Sequence, residues 1–167
     1  MTKTRNRLIS VGIGLLLFIS AALFIIPQKT AGAETWIESA ADFIVGEGSQ
    51  SVPYQIATAE ELANLAKMVN DGKTDENTYF ELAANIDLGG KEWTPIGTKD
   101  NQFAGKLFGN GNTISNLTIS GGEEKGLFAY SSGEIKNLYL ENIDITARMN
   151  AGGVCAYNSG TIEGCGF

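Results

Sequence analysis

The chain contains no histidine. Within these 167 residues that excludes Ser/His/Asp and Cys/His catalysis, histidine-ligated zinc and the HExxH motif of metalloproteases. Proline is scarce, at three residues, and cysteine scarcer, at two. Positive charge is also in short supply, with 12 Lys and Arg against 19 Asp and Glu. Four of the twelve (Lys3, Arg5, Arg7, Lys29) precede Glu34 and no acidic residue does. From Glu34 onward the chain therefore carries eight positive and 19 negative charges, a net −11. Such a surface repels phosphate backbones and anionic lipid, and no basic stripe interrupts it. Nucleic acid is not an expected partner.

What the chain has in quantity is glycine, 21 residues, set in a sequence that is 43% apolar. That composition permits a proper core and suits a turn-dense β fold. The glycines are spaced around a recurring pattern. Ile114-Ser115-Asn116-Leu117-Thr118-Ile119 is followed by Ile135-Lys136-Asn137-Leu138-Tyr139-Leu140 and by a degraded Ile162-Glu163-Gly164-Cys165-Gly166-Phe167, in steps of 21 and 27. Gly126-Leu127-Phe128-Ala129-Tyr130 and Gly153-Val154-Cys155-Ala156-Tyr157 recur 27 apart. Periods of about 20–50 residues mark repeat architectures, and alternation at period two marks strands. One such unit cannot bury its own apolar face, but stacked units can. The expected fold is all-β, a parallel β-helix (β-solenoid) in which Ile114, Ile135 and Ile162 lie one over another, with one N-terminal amphipathic helix capping it.

Residues 1–33 read as a signal peptide. Lys3, Arg5 and Arg7 form a basic start, an apolar run extends from Leu8 to Ile26, and Ala31-Gly32-Ala33 offers a small-x-small cleavage site. The competing reading is an uncleaved membrane anchor. Either way the remainder is expected to be secreted or held at the cell surface. Residues 34–57 form a lead-in segment. Residues 58–102 contain the capping helix and the first strands, and 103–167 the repeats. Thr58-Ala59-Glu60-Glu61 is a capping box, and Leu62, Leu65, Ala66 and Val69 make one apolar stripe. A helix packed along the side of the sheet is the alternative to a cap. Asn110-Gly111 reads as a corner between strands, against a hairpin turn. Asp71, Asp75 and Glu76 do not follow the EF-hand order of ligands and read as a solvated loop.

At Trp93-Thr94-Pro95-Ile96-Gly97, Phe103-x-Gly105, Gly109-Asn110-Gly111-Asn112-Thr113-Ile114-x-Asn116-Leu117 and Gly126-Leu127-Phe128 the chain resembles the GLUG-motif family. The upstream Pro53-Tyr54-x-Ile56 and Glu61-Leu62 resemble the segment preceding such repeats, so the likeness spans about residues 43–167. It implies a right-handed parallel β-helix in secreted or wall-associated bacterial proteins, including adhesins. The sequence departs from the motif at Ala129 and Ala156, which fill its last small position. The chain also stops at Phe167 without a polar cap or a Leu-Pro-x-Thr-Gly sorting sequence. It reads as the front of a longer protein, or as one needing further repeats or a partner at its C-terminal end.

Cys155 and Cys165 invite a disulfide in an exported chain. By the repeat alignment they replace Phe128 and Leu138, which makes them small buried hydrophobes instead. Tyr130 and Tyr157 recur at equivalent positions and read either as a glycan-stacking surface, with Tyr139 nearby in sequence, or as a packed aromatic column. Asn110, Asn112, Asn116, Asn137 and Asn158 could meet sugar hydroxyls, but stacked asparagines more often bond to neighbouring backbone. Asp87, Glu141 and Asp144 are the acids available for a glycosidase pair, with no repeating acid cluster around them. No catalytic residue, cofactor or metal is therefore expected. The expected function is that of an exported, non-catalytic module, an adhesin or stalk binding a host or cell-wall glycan or protein. It would meet the membrane only through an uncleaved leader. The alternative is a polysaccharide-binding or polysaccharide-degrading β-helix protein.

Overall fold

The computed structural model describes residues 34–167, so the signal-peptide reading of residues 1–33 lies outside the described residues. A 3-10 turn at Trp36–Ser39 opens the described chain, followed by β1 at Tyr54–Ile56 and α1 at Ala59–Asn70. Short strands follow: β2 Tyr79–Leu82, β3 Ile86–Asp87, β4 Lys106–Phe108, β5 Thr113–Ser115, β6 Thr118–Ile119 and β7 Phe128–Ser131. Then come β8 Glu134–Lys136, β9 Tyr139–Glu141, β10 Asp144–Ile145, β11 Cys155–Asn158 and β12 Thr161–Glu163.

Helix α1 begins where its capping chemistry dictates. The Thr58 side chain accepts from the Glu61 N–H at 3.2 Å. The Glu61 carboxylate accepts from the backbone of Ala57 at 2.8 Å and of Ile44 at 3.3 Å, satisfying donors that the helix start would otherwise leave orphaned. The apolar stripe, Leu62, Leu65, Ala66 and Val69, is fully buried. At the far end Asn70 ties the helix to the chain ahead of β4, donating to Pro95 O and accepting from Gly97 N.

Strand pairing is parallel throughout the named strands. The expectation of one continuous all-β right-handed parallel β-helix requires correction. The strands fall into separate sheets of five (β1-β2-β4-β8-β12), three (β3-β5-β9), two (β10-β6) and two (β11-β7), beside α1, and no closed solenoid is formed among the described residues. The strands are only two to four residues long. Asn110, Asn116, Asn137 and Asn142 adopt left-handed φ of 52–56°, which turns the chain out of each sheet before its ladder can run on.

The expected column of Ile114, Ile135 and Ile162 is also corrected. Ile135 and Ile162 are register partners, in line with Leu107 and Phe80. Ile114 instead pairs with Ile86 and Leu140, in the three-stranded sheet. The 21-residue step joins two different corners of similar chemistry: an apolar residue, a polar one, a left-handed Asn (Asn116 or Asn137) and another apolar residue. Residues 107, 135 and 162 mark the true steps of 28 and 27. Asn110-Gly111 does form a corner, since β4 and β5 on either side of it pair into different sheets.

The core is continuous. Phe80, Phe103 and Phe128 form an aromatic series with ring centroids 6.2 and 5.0 Å apart, extended at one end by Tyr54 and Phe43. Trp93 is buried beside it and donates its indole N–H to Leu127 O. Burying rings of this size contributes about 3–5 kcal/mol each, judged by the cost of truncation.

Candidate functional site

The strands β7 and β11 place Tyr130 and Tyr157 directly opposite each other. Phe128 and Cys155, two residues earlier, are paired in the same ladder. Phe128 is fully buried, Tyr130 is half-buried and Tyr157 is 50% exposed. The two phenol rings lie 5.6 Å apart at 46°. They thus form a paired aromatic column whose outer ring, Tyr157, is half exposed.

Three stretches of chain surround the pair. The Glu123-Glu124 segment and the Met149-Asn150 segment are laced together by Lys125 N to Asn150 O at 2.9 Å, Arg148 N to Gly122 O at 2.7 Å and Gly152 N to Lys125 O at 3.0 Å. The Lys99–Gln102 turn is held by Phe103 N to Tyr130 O at 3.0 Å and by the Asn101 amide to Asn70 O at 2.9 Å. Together Lys99, Gln102, Glu123, Glu124, Met149 and Asn150 enclose, with the tyrosines, an open cleft of about 430 Å³. Partial burial is the main cause that pushes the Tyr130 phenol above its ordinary pKa. A hydrogen bond to Glu124 and the fields of Glu124 and Glu123 add to it. The cleft thus offers two aromatic faces, two carboxylates, two amides, one thioether and one ammonium.

The lining residues other than the tyrosines escaped the sequence reading because none belongs to the repeated motif. The available signal was positional. The segments around Glu123 and Met149 stand just ahead of the two tyrosine-bearing repeats, and parallel pairing in register brings equivalent segments side by side.

The other sequence candidates separate. Asp87 and Glu141 occupy one outward row of the three-stranded sheet, each paired with Ser115 between them, while Asp144 pairs with Thr118 in another sheet. The Asn116 amide, at 2.7 Å, and the Gly89 N–H hold the Asp87 carboxyl below its ordinary pKa. That suits a structural anion, not a proton donor. Asn110 and Asn112 donate to Leu82 O in the preceding repeat, and Asn158 bonds within its own turn. Cys155 and Cys165 are free thiols packed against the core. Cys155 lies near Tyr157 O, Cys165 near Glu163 O and Ile135 O. Burial pushes the Cys155 thiol up to about 11, which leaves it protonated and a poor nucleophile. Asp75 accepts from Asn77 and Thr78 within its own turn, and Asp71 pairs with Lys67 and Lys73. Among the described residues no group of three His, Cys, Asp or Glu could hold a metal ion, and no helix is long and apolar enough to cross a membrane.

A second cleft of about 470 Å³ adjoins β1, lined by Ile44, Val45, Ala57 and Ala83 with Gln55, Thr58 and Glu61. It is mainly apolar, and the Glu61 carboxylate within it is already engaged by two backbone donors.

No family model matches the chain, and no solved structure matches it. It is 35% identical over 132 residues to halomucin of Haloquadratum walsbyi, an alignment covering 71% of this chain and 1% of that protein. It is 34% identical over 134 residues to a protein of Evansella cellulosilytica whose name describes a Gly-rich membrane protein, covering 72% of this chain and 15% of the relative. This chain thus corresponds to a small part of each relative, and the likeness is to a segment within much longer proteins.

Proposed function

We propose that the chain is an exported, non-catalytic module of the cell surface, an adhesive segment that binds glycan through the Tyr130–Tyr157 cleft. The single observation that carries the reading is the pair of tyrosine rings in register, 5.6 Å apart, flanked by carboxylates and amides in an open cleft. Aromatic faces take the apolar side of a sugar ring, and fixed polar groups at the rim take its hydroxyls. Similarity to parts of very long proteins, one named as a membrane protein, supports a surface location. The resemblance to GLUG-motif repeats points the same way. The engagement of Asp87 by the Asn116 amide and the Gly89 N–H, and the placing of Asp144 in another sheet, support binding without cleavage.

The test is a glycan array probed with the full chain, followed by titration of the strongest hit. Tyr157→Ala and Tyr130→Ala should each weaken binding roughly tenfold, the value of one lost stacking contact of about 1–1.5 kcal/mol. Far-ultraviolet circular dichroism of Tyr157→Ala should be unchanged, because the ring is half exposed. A blank array, or alanine variants that bind like the parent, would remove the proposal.

A further inference from the structure

Resting on that reading, we infer that the sugar accepted by the Tyr130–Tyr157 cleft carries a free amine, and that Glu123, Glu124 and the tyrosine faces together select its positive charge. The balance of groups points to this. Two carboxylates and one ammonium line the cleft, and the chain from Glu34 onward is at −11. A uronate, sulfate or phosphate substituent would therefore be repelled both locally and at long range. The remaining lining favours a cation. A phenol face attracts an ammonium group through its quadrupole, and a thioether such as Met149 is soft and polarizable.

The competing cations are few. Lys99 is the lining ammonium, and the Lys125 side chain folds back over Gly122, its Nζ about 2.9 Å from where a Cβ on that glycine would stand. Arg148 is tied by its backbone to Gly122 but is not part of the lining. Both carboxylates line the cleft beside the Tyr130 phenol, and both push its pKa up, so the acidic side of the cleft adjoins that ring. A protonated amine on a sugar stacked over Tyr157 would find these carboxylates in the same cleft. An acetylated nitrogen in the same place would lack the charge.

The experiment is isothermal titration of the full chain with a fully deacetylated glucosamine oligomer and its N-acetylated counterpart of equal length. It is run below about pH 7, where an amine of this kind is protonated, at about 0.05 and 0.3 M salt. The amine form should bind at least about tenfold tighter at low salt and lose most of that advantage at high salt. The Glu123→Gln, Glu124→Gln pair should abolish the preference, so that the two oligomers bind alike at low salt. If that variant does not fold, the two oligomers and the salt series on the parent protein decide the matter alone. Equal affinity for both oligomers, or tighter binding of the acetylated one, overturns the charge inference and leaves glycan binding standing. Silence from both oligomers together with a blank array overturns both. Competition by a basic peptide as strong as that by the amino sugar would make the ligand a protein and overturn the inference.

Discussion

Asn116 illustrates what one residue does here. Its φ of 56° places it in the left-handed region, and its amide donates to Asp87 at 2.7 Å. A β-branched residue cannot hold that φ cheaply. Asn116→Val should lower stability by about 2 kcal/mol, and Asn116→Gly by well under about 1 kcal/mol, read from urea midpoints. The glycine variant should differ in one respect. A carboxyl held below its ordinary pKa contributes stability above that value and loses it as the pH falls through the folded pKa. Part of the acid sensitivity of the parent below about pH 4 should therefore be missing from Asn116→Gly. Cys155 runs in the opposite direction. Its raised pKa makes its contribution complete below the ordinary thiol value and lost as the pH rises toward about 11. In the folded chain at about pH 8 it should be alkylated much more slowly than an unfolded cysteine, and in urea at the ordinary rate. Mass spectrometry of the labelled peptides reads this directly.

At the scale of elements, close approach between successive repeats governs what is tolerated. A Cβ on Gly133 would stand 2.1 Å from Gly105 O, and one on Gly160 would stand 2.0 Å from Gly133 O. Gly111 has φ of 79° but open space around it. Gly133→Ala should therefore cost about 3 kcal/mol through overpacking, and Gly111→Ala only about 1 kcal/mol through backbone strain. Thermal melts of the two variants separate these causes. The same element scale shows what could be read in the sequence. Helix α1 was legible because its cap, stripe and end are local. β7 and β11 were legible because Gly126-Leu127-Phe128-Ala129-Tyr130 recurs as Gly153-Val154-Cys155-Ala156-Tyr157. The three-way alignment through Ile114 failed because similar left-handed Asn corners, at Asn116 and Asn137, follow strands of two different sheets. Period alone cannot say which corner a motif occupies. The division into separate sheets was not legible either, since it depends on where each two- to four-residue ladder stops. In the cleft, the tyrosines were visible as a recurrence, while Glu123, Glu124 and Met149 became neighbours only through pairing across some 27 residues.

For the molecule as a whole, an excess of negative charge meets few ion pairs among the described residues. Lys67 and Lys73 share Asp71, and Lys136 bridges Glu134 and Glu163. Self-repulsion should destabilise the chain at low ionic strength, so raising salt from about 0.01 to 0.5 M should raise the melting temperature by several degrees. The parallel ladders carry a mechanical consequence. Because β4, β8 and β12 lie side by side, each about 27 residues after the last, a load that draws the outer strand away from its neighbour opens hydrogen bonds one after another. Extension should then proceed in steps that each release roughly 90 Å of chain, the stretched length of such a segment. A tether built this way would yield under tension by paying out length, and single-molecule pulling would record the sawtooth.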